Sequence, residues 1–166
     1  MAGETLSMAR RFAAAGLLAL AASPAAQASM PAAREAGLDA CFEAAARRYG
    51  IAPQLLRAIA WVESAMDPRA LNANRDGTHD IGLMQVNSRW LLRLARFGLR
   101  PQDLWEPCTN VHVGAWILAH AIRRWGYTWE AVGAYHAGDR PGAAPRRARY
   151  AERVRRRLAA LEEAAR

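Results

Sequence analysis

Lysine is absent from this chain: all 23 basic side chains among its 166 residues are arginine, against 15 acidic ones, for a formal charge of +8. The uniform choice of arginine reads as genome composition rather than function. The charge favours an anionic partner such as a bacterial cell wall, a membrane surface or nucleic acid, without choosing between them. No recognisable nucleic-acid-binding motif accompanies it, so nucleic acid is set aside. Cysteine is nearly absent as well. Cys41 and Cys108 are the only two, a poor signal for a metal site at that separation. His79, His112 and His120 lack ligand spacing. Trp90, Trp105, Trp116, Trp125 and Trp129 suit core or groove walls better than a cofactor box. Neither a metal nor a cofactor is expected. No internal repeat occurs and nothing marks a second domain. A 52% apolar composition with six tryptophans excludes disorder and suits one compact domain with a real core.

Long hydrophobic runs are also missing. The one sustained stretch, Phe12 to Ala22, is too short to span a bilayer comfortably. With Arg10 and Arg11 before it and Ala26-Gln27-Ala28 after it, it reads as a secretory leader cleaved before Ser29. Met8 is an alternative start, and an uncleaved anchor an alternative reading. Removing residues 1–28 takes two arginines and one glutamate and leaves +7. In an exported chain two cysteines imply one disulfide, Cys41–Cys108, the alternative being two unpaired buried thiols.

The remainder reads as mostly helical. A first helix is expected from Asp39, as N-cap, to Tyr49, and a second from Pro53 to about Ala65, stopped by Asp67-Pro68. Asn72 to Asp80 is polar, with an Asp76-Gly77 turn signal, and reads as a loop or small hairpin. Further helices are expected at Ser88 to Phe97, from Thr109 or Asn110 to Trp125, at Trp129 to His136 after Thr128 as cap, and from Arg146 onward. The arginines of that last helix, from Arg146 to Arg157, read as a solvated face, with contact to an anionic wall or a partner protein as the alternative.

One residue breaks the pattern. Leu56, Ile59, Glu63 and Met66 fall on one face of the second helix, and a carboxylate on an apolar stripe is expensive unless paired or protonated. Pairing with Arg57 or Arg69, escape to solvent and a structural hydrogen-bonding role are the bland explanations. The functional one is a general acid, because a carboxyl in an apolar setting keeps its proton toward neutral pH and can hand it to a leaving oxygen.

Four motifs follow in order: Glu63-Ser64; Gly82-Leu83-Met84-Gln85-Val86-Asn87; Ala134-Tyr135-His136-Ala137-Gly138; and Tyr150-Ala151 with Val154. Together they resemble the lysozyme-like lytic transglycosylases that cleave bacterial peptidoglycan, from about Cys41 to Val154. The short length, the cysteine pair, Asn87-Ser88 with Trp90-Leu91, and Pro107-Cys108 with Asn110 resemble the small subgroup attached to type III and type IV secretion systems and pili. The resemblance implies a mainly α, single lysozyme-like domain with at most a small β-hairpin. It implies Glu63 as the single catalytic acid and base, and substrate contacts from Gln85, Asn87, Tyr135, His136 and Tyr150, whose hydroxyl orients the catalytic carboxyl. His136 stands where the family usually has Asn, which puts the sugar contact there in question. The implied reaction cleaves the β-1,4 bond between N-acetylmuramic acid and N-acetylglucosamine and closes a 1,6-anhydro ring with no water consumed.

Asp80 follows Glu63 by 17 residues, and the segment Asn74 to Asp80 also resembles the active-site hairpin of animal lysozymes. Asp80 is therefore either a second catalytic carboxylate, as in a hydrolytic muramidase, or a brace of the hairpin. A wall-binding assembly factor without turnover is the non-enzymatic alternative. The resulting organisation is a signal peptide at 1–28, a lead-in at 29–38, the lysozyme-like domain at 39–158 and a helix end at 159–166. A periplasmic or secreted monomer acting on glycan strands, with secretion-system or pilus components as partners and no membrane span after cleavage, completes the expectation.

Overall fold

The computed structural model describes residues 24–166; the expected leader residues up to 23 lie outside the described residues. Six helices follow in order: α1 Pro24–Tyr49, α2 Pro53–Ser64, α3 Leu91–Leu94, α4 Pro107–Trp125, α5 Trp129–Ala137 and α6 Ala144–Ala164. Three short strands, β1 Leu71–Ala73, β2 His79–Ile81 and β3 Val86–Asn87, form one antiparallel sheet in chain order. The mainly helical architecture is the expected one, with one strand more than a hairpin. None of the described helices is long and apolar enough to cross a membrane.

Several boundaries differ from expectation for identifiable reasons. α1 continues upstream through the expected lead-in to Pro24; six of the fifteen residues from Pro24 to Leu38 are alanine, the best helix former. Asp39 therefore caps nothing; it accepts from Arg57 Nη2 of α2 at 2.9 Å. The single helix expected over Ser88–Phe97 is broken into a 3-10 turn, the four-residue α3 and a second 3-10 turn, ended by Gly98 at φ 77°. α4 begins two or three residues early because Pro107 fits its first position. There the Glu106 carboxylate accepts from the backbone N–H groups of Cys108 (3.0 Å) and Thr109 (2.6 Å).

α4 is the central strut. Its Val111, Val113, Ala115, Ile117 and Leu118 are buried, and it packs on α1 and α5, while α6 lies along α5 and α2. Phe42, Leu56, Ile59, Leu83, Met84, Leu104 and Val154 complete the fully buried core, each such side chain contributing about 1.5–3 kcal/mol. Cys41 and Cys108 form a disulfide with Cα atoms 5.0 Å apart, fastening α1 to the first turn of α4.

The arginines of α6 are not all solvated. Arg147 is buried: it pairs with Glu130, lies over the Trp125 ring at 4.9 Å and donates to the Gly138 carbonyl. Gly133 makes this possible, since a Cβ there would sit 2.6 Å from the Arg147 backbone. α5 and α6 thus approach closely, and this approach brings Tyr135, His136 and Tyr150 toward the end of α2.

Candidate active site

Glu63 is the penultimate residue of α2, and its side chain retains 12% exposure. The helix stops immediately afterwards. Ala65 and Met66 both adopt left-handed backbone, φ 52° and 68°, and the Ala65 N–H returns to the Trp61 carbonyl at 2.9 Å. Met66 is therefore off the helix and does not continue the stripe of Leu56, Ile59 and Glu63. Left-handed backbone costs a non-glycine residue about 1–2 kcal/mol. Here it is held by Ser64, whose hydroxyl lies 2.8 Å from the Leu83 carbonyl and 3.1 Å from that of Ala60. Arg57 is turned away, toward Asp39 and Glu43 of α1, so it does not neutralise Glu63.

The segment between β2 and β3 is a tight turn. Gly82 lies at φ 74° and Gln85 at φ 46°. The Gln85 side-chain amide donates to the carbonyls of Gly82 (2.9 Å) and Ala70 (3.1 Å). The turn is moored by a residue to which the sequence reading gave no role. Asn110 of α4, 1% exposed, accepts from the Met84 N–H and donates to the carbonyls of Ile81 and Leu104, all at 2.8 Å. Every hydrogen bond of that amide stays inside the protein, as burial demands. Gly114, one turn along α4, lets the Met84 side chain in; a Cβ there would lie 2.6 Å from Met84 Cβ. The spacing of Pro107-Cys108 with Asn110 and Gly114 was the available signal.

Two residues reach Glu63 from the helices. The Tyr150 hydroxyl donates to Glu63 Oε1 at 2.6 Å. His136 stacks flat on the Tyr150 ring, centroids 4.5 Å apart, and its Nδ1 lies 3.7 Å from the same Oε1. Both contacts fall on one carboxyl oxygen, leaving Oε2 free of them. Burial, then the Glu63 charge, push the Tyr150 hydroxyl well above the ordinary phenol value, so it remains a donor. Tyr135 donates to the Met84 carbonyl at 2.6 Å. Its hydroxyl is pushed well up by burial and then by the charges of Glu63 and Asp80.

Asp80 sits at the centre of the sheet, opposite Asn72 on β1 and Asn87 on β3. Its two oxygens accept from Asn87 Nδ2 (2.6 Å) and Asn74 Nδ2 (2.9 Å). Asn87 also donates to Thr78 and, through its own oxygen, accepts from the Arg89 N–H. The turn signal at Asp76-Gly77 is realised: Gly77 lies at φ 79°, and Asp76 accepts from the backbone and hydroxyl of Thr78. Those two bonds hold the Asp76 carboxyl below its ordinary value. Glu63, His136 and Tyr150 thus meet directly, Tyr135 reaches the β2–β3 turn that carries Gln85, and Asp80 and Asn87 pair across the sheet beside that turn, while Cys41 and Cys108 stand apart as the α1–α4 clasp.

Comparison with known proteins gives the same frame. The family model described as Transglycosylase SLT domain matches residues 40–156. The chain is 47% identical over 119 residues to the X polypeptide of Escherichia coli, covering 70% of each. It is 47% identical over 115 residues to the Invasion protein IagB of Salmonella typhimurium, covering 69% of this chain and 72% of that one. Protein IpgF of Shigella flexneri is 41% identical over 118 residues, covering 70% and 78%. Among solved structures, an inactive mutant of the lytic transglycosylase Slt from Pseudomonas aeruginosa superposes with a TM-score of 0.59 at 23% identity. That likeness covers 72% of this chain but only 23% of the other, and it speaks for the fold alone. The chain belongs to the transglycosylase SLT domain family.

Proposed function

We propose that the protein is a peptidoglycan lytic transglycosylase in which Glu63 is the one catalytic acid and base. The observation that carries this reading is a nearly buried carboxyl that no arginine neutralises among the described residues, oriented through Oε1 by the Tyr150 hydroxyl with His136 Nδ1 3.7 Å away. Glu63 gives its proton to the oxygen linking N-acetylmuramic acid to N-acetylglucosamine. The muramic acid becomes oxocarbenium-like, assisted by its acetamido group. The Glu63 carboxylate then takes the proton of that sugar's C6 hydroxyl, which attacks C1 and closes the 1,6-anhydro ring. Gln85, Asn87, Tyr135 and His136 line the cleft for sugar contacts, and Tyr150 orients the acid.

The bonding of Asp80 to Asn74 and Asn87 supports a bracing role, which keeps Glu63 sufficient. The second reading is a lysozyme-type hydrolase using both carboxylates. Export by residues 1–28 would deliver the enzyme to the periplasm. The relative named as an invasion protein supports service to a secretion system or pilus.

Mass spectrometry of fragments released from purified peptidoglycan tests the reading. Muropeptides with 1,6-anhydro ends, each lighter by one water than a hydrolytic product, are expected. Reducing ends would establish the hydrolase and promote Asp80. Binding to sacculi without release, by folded and oxidised protein, would leave a non-catalytic wall-binding factor.

A further inference from the structure

We infer that an exposed arginine stripe on α6, beside Glu63, binds the carboxylates of the peptide stems carried by the glycan. This rests on the peptidoglycan reading above and names the part of the substrate that the sugar-binding residues do not touch.

Arg146, Arg149, Arg153 and Arg156 recur at i, i+3, i+7 and i+10, which places them on one side of the helix. All four are exposed. Their neighbours on α6 are otherwise engaged: Arg147 with Glu130, Arg155 with Glu152, and Arg157 over the Trp61 ring at 3.7 Å. Among the described residues, none of the four has a carboxylate partner. Like charges in a row repel, and a stripe left unneutralised within the protein is an open site for an anion.

The stripe is placed beside Glu63 by two contacts. Tyr150, between Arg149 and Arg153, reaches Glu63. Arg153 donates to the carbonyl of Val62, the residue before Glu63, at 3.2 Å. The stripe reaches about 10 Å along the helix from Arg153 to Arg146 and about 5 Å the other way to Arg156, at 1.5 Å per residue. An extended peptide of four residues reaches about 13 Å, so a stem hanging from a muramic acid bound at Glu63 has the length to lie along it. Guanidinium forks suit carboxylates in bidentate geometry.

The test is a pelleting assay with full-length Glu63→Gln protein, which removes turnover, on intact sacculi and on sacculi stripped of stems by an amidase. The expected result is at least fivefold tighter binding to intact sacculi, a preference that salt weakens. That preference should fall to near unity in the triple variant Arg146→Gln, Arg149→Gln, Arg156→Gln. Arg153 is kept, because it also holds the end of α2. The corresponding triple lysine variant, which restores the charge, should recover most of the preference. Should the triple variant fail to fold, Arg149→Glu alone carries the same expectation. A preference unchanged by these substitutions, or equal binding to both preparations, would overturn the inference and point to an acidic protein or anionic membrane as the partner of α6. Binding to neither preparation would overturn the peptidoglycan reading and this inference together.

Discussion

The Tyr150 phenol donates to Glu63 Oε1 at 2.6 Å across 87 residues of sequence. Tyr150 is 2% exposed, so the bond is made where water does not compete with it. A hydrogen bond to a charged group contributes about 1.5–3 kcal/mol. Tyr150→Phe is expected to fold and to lose about 10–100-fold in turnover on peptidoglycan, read as release of soluble muropeptides. The raised values of Tyr135 and Tyr150 also set an alkaline expectation. Their protonated forms contribute stability that is complete below the unfolded phenol value of about 10 and is lost as pH rises through the higher folded value. Phenolate absorbance from this pair should therefore appear only as the fold opens, and be missing in Tyr135→Phe/Tyr150→Phe.

Glu63→Gln keeps the shape of the side chain and removes its acid. Turnover should collapse while circular dichroism and the melting temperature persist. Asp80→Asn should cost far less turnover under the proposed mechanism, although its new NH2 sets a donor against Asn74 or Asn87 and one of those two bonds is lost. A collapse in Asp80→Asn equal to that of Glu63→Gln would establish the two-carboxylate hydrolase instead.

The Cys41–Cys108 bridge spans 67 residues and contributes about 4 kcal/mol in the chain-entropy model. Thiol counting on unfolded protein should find none before reductant and two after. Cys41→Ala/Cys108→Ala should unfold at distinctly lower denaturant concentration than the oxidised protein.

Asn110→Ala would strand the Met84 N–H and the carbonyls of Ile81 and Leu104. At about 1–3 kcal/mol per buried unsatisfied group, the loss should exceed about 3 kcal/mol in urea unfolding. Gly114→Ala should also destabilise, by about 1–3 kcal/mol, because the new methyl meets Met84.

Glu106 gives a pH-dependent counterpart. Burial would raise its carboxyl, but the N–H groups of Thr109 and Cys108 outweigh burial and hold it below its ordinary 4.5. A depressed folded value means stability present above the unfolded value and lost as pH falls through the folded one. Glu106→Ala should cost about 1 kcal/mol near neutrality, as for other helix caps. The gap in melting temperature between the two proteins should narrow as pH drops below about 4.

The helices were legible where punctuation was local. Pro53, Thr128 and Gly126 set boundaries within a residue or two, and Asp76-Gly77 set its turn. The cluster around Glu63 was legible through motif order, because each member sits beside a small or turn-forming residue that fixes its segment. What stayed hidden depended on contacts between distant segments. Arg147 looked like solvated charge until Gly133 brought α5 and α6 together, and Asn110 looked like part of a phrase until the β2–β3 turn folded over it. Met66 fell off the expected stripe because left-handed backbone at Ala65 carries no sequence mark when the residue is not glycine.

The clasp on Glu63 also has a meaning for timing. During synthesis the glutamate leaves the ribosome long before the helix that carries its tyrosine, and the asparagine that moors the adjoining turn lies between them. A growing or truncated chain therefore holds the acid without its clasp. Under the proposed function, the capacity to cut a wall waits on the docking of α6, which brings Tyr150 to Glu63.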